Sequence, residues 1–232
     1  MISQFEGYER LKEFDWAGYR ARYGAIGRLD LILAGEGDST NNYKLSKQAD
    51  VLMLLYQFSA DELREVLRGL GYDFPAEAIP RTVEYYRERS SHGSTLSNVV
   101  HSWVEARGDR ARSWDFLVQA LESDLADIQG CTTHTGVHLG AMAGSIDMVT
   151  RCYTGLELHV GMLWLHPVLP PEVEQIDFTL SFQQQLIRVT VDSVVLRLSV
   201  YPGGAVPITA MVEGTAVRLD PGETREFVSS NS

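Results

Sequence analysis

Ile176-Asp177-Phe178-Thr179-Leu180-Ser181-Phe182 alternates apolar and polar side chains without a break. A period of two belongs to a strand with one buried face, whereas a helix would scatter these side chains around its axis. Met162-Leu163-Trp164-Leu165 precedes this stretch, and Leu186–Val200, rich in Val, Leu and Ile, follows it. Tyr201-Pro202-Gly203-Gly204 reads as a hairpin-type turn, and Ala205–Phe227 as two more strands around Glu213-Gly214. From Leu156 onward the chain is β.

Upstream the period is helical. Lys47–Phe58 carries Val51, Leu52, Leu54, Leu55 and Phe58, apolar nearly all round, which predicts a buried helix. Ser59-Ala60-Asp61-Glu62 is a capping box, and the helix it opens runs through Leu63, Val66, Leu67 and Leu70 to stop at Gly71. Pro80 starts another helix through Val83 and Tyr86. Leu96–Ala106 and Ala111–Leu125 follow, with Gly108-Asp109 turning between them. A last helix covers Val137–Cys152, where Gly136, Gly140 and Gly144 would let another backbone approach closely. Residues 1–43 are irregular but aromatic-rich, with a turn at Gly35-Glu36-Gly37-Asp38-Ser39. Antiparallel helix pairs with short connections make an α/α architecture. Pro167–Pro171 marks the boundary, so the expected order is α then β, with residues 1–167 helical and 168–232 a β domain.

Composition narrows the function. The chain has 232 residues and 20 Lys+Arg against 31 Asp+Glu, a net charge of −11 that disfavours phosphate-backbone binding. No apolar run approaches the roughly 20 residues that span a bilayer. Met1-Ile2-Ser3-Gln4-Phe5-Glu6 lacks the basic start and apolar core of a signal peptide. Cys131 and Cys152 are the only cysteines, too few for a disulfide scaffold. These features predict a cytoplasmic protein with neither nucleic-acid nor membrane partners.

Four motifs could carry chemistry. The carboxylate pairs Glu36/Asp38, Asp61/Glu62 and Asp124/Asp127 fall in turns, caps or exposed helix faces, where solvation explains them. Cys131-x-x-His134-x-x-x-His138 has zinc-compatible spacing but lacks a further ligand, so a buried cysteine and a helix-start histidine pair is the better reading, with no metal expected. Ser90-Ser91-His92-Gly93-Ser94-Thr95-Leu96-Ser97 places hydroxyls and a glycine just before a helix. That pattern serves either phosphate binding or a plain N-cap. Lys47-Gln48 suits polar contacts to a sugar if buried, and solvent if it points outward.

Taken in order, Gln4-Phe5-Glu6-Gly7-Tyr8, Lys47-Gln48-Ala49-Asp50-Val51-Leu52, His92-Gly93-Ser94-Thr95-Leu96-Ser97, Thr135-Gly136-Val137-His138 and Met142-Ala143-Gly144 resemble glycoside hydrolase family 65. This family comprises inverting phosphorylases of maltose, trehalose or kojibiose. The resemblance runs from residue 4 to about residue 185. It implies the C-terminal half of an α/α barrel of six helical hairpins, followed by a small β-sandwich. By position, Lys47 and Gln48 resemble the glucosyl-binding pair, Ser94 and Thr95 the phosphate-binding hydroxyls, and His138 the phosphate-contacting histidine. No residue here is expected to be the general acid, since the family's glutamate lies upstream of Lys-Gln in a segment outside this sequence. An inverting hydrolase needs a second carboxylate to activate water, and a phosphorylase replaces it with bound phosphate. His92–Ser97 contains no carboxylate, which favours phosphorolysis of an α-glucoside to β-glucose 1-phosphate. The implied co-substrate is inorganic phosphate, with no other cofactor. The alternatives are a non-catalytic sugar-phosphate-binding remnant, or one half of a split enzyme completed by a complementary N-terminal chain. The resemblance also leans towards a homodimer.

Overall fold

The computed structural model describes residues 1–128, 133–159, 161–203 and 206–228. Two compact units divide the chain. The first comprises Met1–Glu105 and Asp115–Gly144, and the second Ala106–Trp114 and Ser145–Ser232.

The described helices are α1 (Trp16–Tyr23), α2 (Leu29–Gly35), α3 (Met53–Gln57), α4 (Ala60–Gly69), α5 (Ala78–Glu88), α6 (Thr95–Glu105), α7 (Arg110–Glu122) and α8 (Leu139–Asp147). A π-turn over Met148–Cys152 continues α8. The segment before residue 44, expected to be irregular, carries α1 and α2 and packs its aromatic side chains together. Asp15 caps α1 by accepting from the Gly18 N–H, and Phe14 packs 4.6 Å from Tyr19 and 5.3 Å from Tyr43, ring centre to ring centre. Glu36 accepts from the hydroxyls of Tyr19 and Tyr23, so this carboxylate of the Gly35–Ser39 turn is an anchor for aromatic side chains. These hydrogen bonds hold its pKa below the usual carboxylate range. Asp38 in the same turn likewise accepts from Tyr43 and Asn42.

The capping box at α4 forms as read, with Ser59 and Glu62 exchanging hydrogen bonds and Gly71 left-handed after the last turn. Lys47–Phe58 departs from the expected helix. Only Met53–Gln57 is helical, and none of those five side chains is fully buried. The reason is backbone accounting. Ser46 N–H donates to the Arg89 carbonyl, while the Ser46 and Lys47 carbonyls accept from Ser91 and Gly93. Those groups are therefore unavailable to a helical ladder. The glycines near α8 also differ from expectation: Gly136 and Gly140 meet nothing within 4 Å, and Gly144 faces the Val99 side chain, not another backbone.

The second unit holds two four-stranded sheets, ordered β1-β2-β6-β7 and β3-β4-β5-β8. The strands are β1 (Glu157–His159), β2 (Met162–Leu165), β3 (Gln175–Phe182), β4 (Gln185–Asp192), β5 (Val195–Val200), β6 (Ile208–Val212), β7 (Thr215–Leu219) and β8 (Thr224–Val228). Strand structure thus begins at Glu157, before the Pro167–Pro171 segment. Ile187, Val189 and Val191 of β4 and Leu196, Leu198 and Val200 of β5 alternate inward and are buried, as one-faced strands require. Among the eight described strands every pairing is antiparallel except β2 with β6. Residues 201–203 do not close a hairpin, because β5 and β6 belong to different sheets; Gly204 lies outside the described residues. Glu213 and Gly214 do turn a hairpin, both with positive φ, and a third strand, β8, follows beside β5.

Candidate functional site

The same backbone exchange that shortens α3 lays Lys47-Gln48 alongside Ser90–Ser94. Gly93 N–H donates to the Lys47 carbonyl at 2.8 Å and Ser91 N–H to the Ser46 carbonyl at 2.9 Å. Gly93 is required for that approach. A Cβ there would lie 2.8 Å from the Gly27 carbonyl oxygen and 3.2 Å from that of Lys47. Backbone atoms yield poorly to such a clash, so Gly93→Ala should destabilise the chain by about 1–3 kcal/mol. Denaturant unfolding of the variant measures it, and an unchanged midpoint would contradict the close approach.

Gln48, Asp50 and Ser94 share the walls of a crevice of about 20 Å³, roughly the room for one water. Gln48 is exposed and Ser94 half-buried, whereas Thr95 is buried as the first residue of α6. Lys47 is half exposed and its Nζ donates to Asp30 at 2.8 Å. Burial pushes the Asp30 carboxyl upward, but hydrogen bonds from Lys47 and Arg28 outweigh it and hold its pKa at about 2. Asp30 therefore stays ionised and fixes the ammonium.

His138 lies in a separate hydrogen-bonded group. Its Nδ1 is 2.5 Å from Asp124 Oδ1, and its backbone N–H donates to Asp124 Oδ2 at 2.9 Å. The Asp124 carboxyl is held below its usual range chiefly by this histidine. The pairing leaves Nε2 as the ring nitrogen turned to any ligand.

Residues 1–147 match the family described as "Glycosyl hydrolase family 65 central catalytic domain", and residues 156–219 match "Glycosyl hydrolase family 65, C-terminal domain". The chain belongs to glycosyl hydrolase family 65. Among family 65 relatives, an uncharacterized glycosyl hydrolase of Mycobacterium tuberculosis is 50% identical over 226 residues, 97% of this chain and 17% of the relative. Trehalose 6-phosphate phosphorylase of Lactococcus lactis is 34% identical, covering 86% of this chain and 26% of that protein. A solved structure assigned as a kojibiose phosphorylase from human microbiome superposes with a TM-score of 0.73 at 20% identity, over 98% of this chain and 29% of its own. The chain thus spans less than a third of each of these relatives.

Sequence reading of this family 65 chain missed Asp30 and Asp124, whose partners lie 17 and 14 residues away, a separation that no local pattern encodes. It also missed the buried polar side of α6. His101 is fully buried, neither ring nitrogen has a hydrogen-bond partner, and its ring lies 4.7 Å from that of His92 and 5.1 Å from Phe116. His92 itself has a left-handed backbone, φ 53°. Of the Cys131/His134/His138 spacing, Cys131 falls outside the described residues. No group of three or more His, Cys, Asp or Glu that could hold a metal exists among the described ones. Among those same residues no helix is long and apolar enough to cross a membrane.

Proposed function

We propose that this chain carries the glucosyl- and phosphate-binding residues of an inverting α-glucoside phosphorylase, on part of an α/α barrel (residues 1–167) followed by a β-sandwich (168–232). Phosphate oxygen attacks the anomeric carbon as the glycosidic C–O bond breaks, and a general acid from outside residues 1–232 protonates the departing oxygen. The products are β-glucose 1-phosphate and a free sugar. Lys47 and Gln48 hold the glucosyl unit; Ser94, Thr95 and His138 hold phosphate. The observation carrying this reading is the Ser46–Lys47 pairing with Arg89–Gly93, which brings Gln48 and Ser94 into one crevice. Relatives named trehalose 6-phosphate phosphorylase and kojibiose phosphorylase support it.

Hydrolysis is the second reading, and Asp50 favours it. This carboxylate shares the crevice with Gln48 and Ser94, where it could activate water. Calorimetry on the chain decides between them. Phosphorolysis predicts saturable binding of inorganic phosphate and β-glucose 1-phosphate, weakened at least about tenfold by Ser94→Ala, since a hydrogen bond to a charged group contributes about 1.5–3 kcal/mol. No phosphate binding by the native chain would overturn it.

A further inference from the structure

The second unit contains a cavity of about 410 Å³, inside the range of about 300–1,000 Å³ typical of small-molecule sites. None of Lys47, Gln48, Ser94, Thr95 or His138 lines it. Its floor is set by strand register. Glu157 on β1, Trp164 on β2 and Met211 on β6 are direct cross-strand partners, so their side chains share one face of the sheet. The neighbouring row, Leu163 and Ala210, faces the other way and is buried. Trp164 therefore belongs to the outward face, and it is 36% exposed. An indole on that face leaves part of its apolar plane open to the cavity it lines.

The polar groups around it are balanced in charge. Arg107 donates through Nη1 to the His166 carbonyl at 3.2 Å, and both residues line the cavity. Glu157 Oε2 is 2.6 Å from His159 Nε2, and the His159 ring is 5.4 Å from that of Trp164. One guanidinium, one carboxylate and an exposed indole offer donors, acceptors and an apolar plane with no excess of either sign. We propose that this cavity is a second carbohydrate-binding site, taking a neutral sugar whose C–H face lies on Trp164 and whose hydroxyls meet Glu157 and Arg107. The charge balance disfavours a phosphorylated sugar. The site goes beyond the phosphorylase reading and does not depend on it.

The test uses the 232-residue chain carrying Lys47→Ala, Gln48→Ala and Ser94→Ala, which removes the glucosyl-binding pair and a phosphate-binding hydroxyl of the proposed phosphorylase site from the measurement. Maltose and trehalose are titrated against tryptophan fluorescence and calorimetry, with glucose 6-phosphate as the charged comparison. Saturable binding of at least one disaccharide is expected, stronger than that of glucose 6-phosphate. Adding Trp164→Ala should weaken it tenfold or more, Glu157→Gln severalfold, and Trp164→Phe less than threefold. Circular dichroism melts check folding; if Trp164→Ala does not fold, Glu157→Gln decides alone. Absence of binding by the parent variant overturns the proposal. So does binding unaffected by the deciding substitution, or preference for the phosphorylated sugar. Failure of phosphate binding in the otherwise native chain would overturn only the phosphorylase reading.

Discussion

Gly155→Ala is expected to cost the second unit about 2–5 kcal/mol of stability. Gly155 has φ +62°, a conformation costing an L-residue about 1–2 kcal/mol. Sterics add more. A Cβ on Gly155 would meet the His166 carbonyl oxygen at 2.2 Å, with the His166 C and N at 2.7 and 2.8 Å. These are backbone atoms, tied in place because His166 N–H donates to Thr154 and Val168 N–H to Tyr153. Neither segment of that contact can retreat without breaking its partner bonds, so the strain of overpacking, about 1–3 kcal/mol, is added in full. Gly214→Ala provides the comparison. Gly214 has φ +81° but nothing within 4 Å, and should lose only the backbone contribution. Urea unfolding of both variants separates the two effects, and equal losses would refute the close packing of residue 155.

The second large effect is acid lability. Burial pushes the His92 pKa down from 6.5 to about 4, with Arg20 adding to the shift, and burial with His92 nearby pushes that of His101 to about 3. Both folded-state values lie below the unfolded one, so the fold favours the neutral rings. Stability is complete above pH 6.5 and falls as pH drops, because the unfolded chain takes up protons that the folded chain refuses. Each histidine gives a slope of about 1.4 kcal/mol per pH unit, hence about 2.7 for the pair between roughly pH 6 and 4. His101→Leu should halve that slope. It should also raise stability at pH 7 by about 1 kcal/mol, since it removes two buried nitrogens that lack hydrogen bonds. Denaturant midpoints measured across pH 4–7 check both, and a slope unchanged by the substitution would remove His101 from the account.

What could be read from residues alone divides along contact distance. The Ser59–Glu62 capping box, the left-handed stop at Gly71 and the alternation of β3 to β5 are local patterns, and they stand where the residues indicate. The order of helices followed by sheets was legible for the same reason. The expected helix over Lys47–Phe58 starts late because, although its apolar content is real, the backbone at its beginning, Ser46 and Lys47, pairs with Arg89–Gly93, more than forty residues away. The strands after residue 200 depart from expectation similarly, since membership of one sheet or the other is decided by partners far along the chain. At the site, the hydroxyl-and-glycine segment was readable as a unit, whereas the carboxylates that steady Lys47 and His138 carried no signal. By residue type and spacing Asp124 reads as ordinary solvated charge. Its side chain is instead the clamp on a histidine.

The parallel pairing of β2 with β6 has a consequence for synthesis. β2 is complete at Leu165, but its partner ends only at Val212, so a growing chain carries β2 with one edge unsatisfied while the whole of the β3-β4-β5 meander emerges. Pairing over such a separation is slow because the intervening loop must be closed first. During that interval Leu163 and Leu165, both buried in the finished protein, lie on an open strand edge, the feature most apt to recruit a neighbouring chain. Ribosome-bound chains stalled before residue 208 should accordingly be the stage most dependent on chaperones.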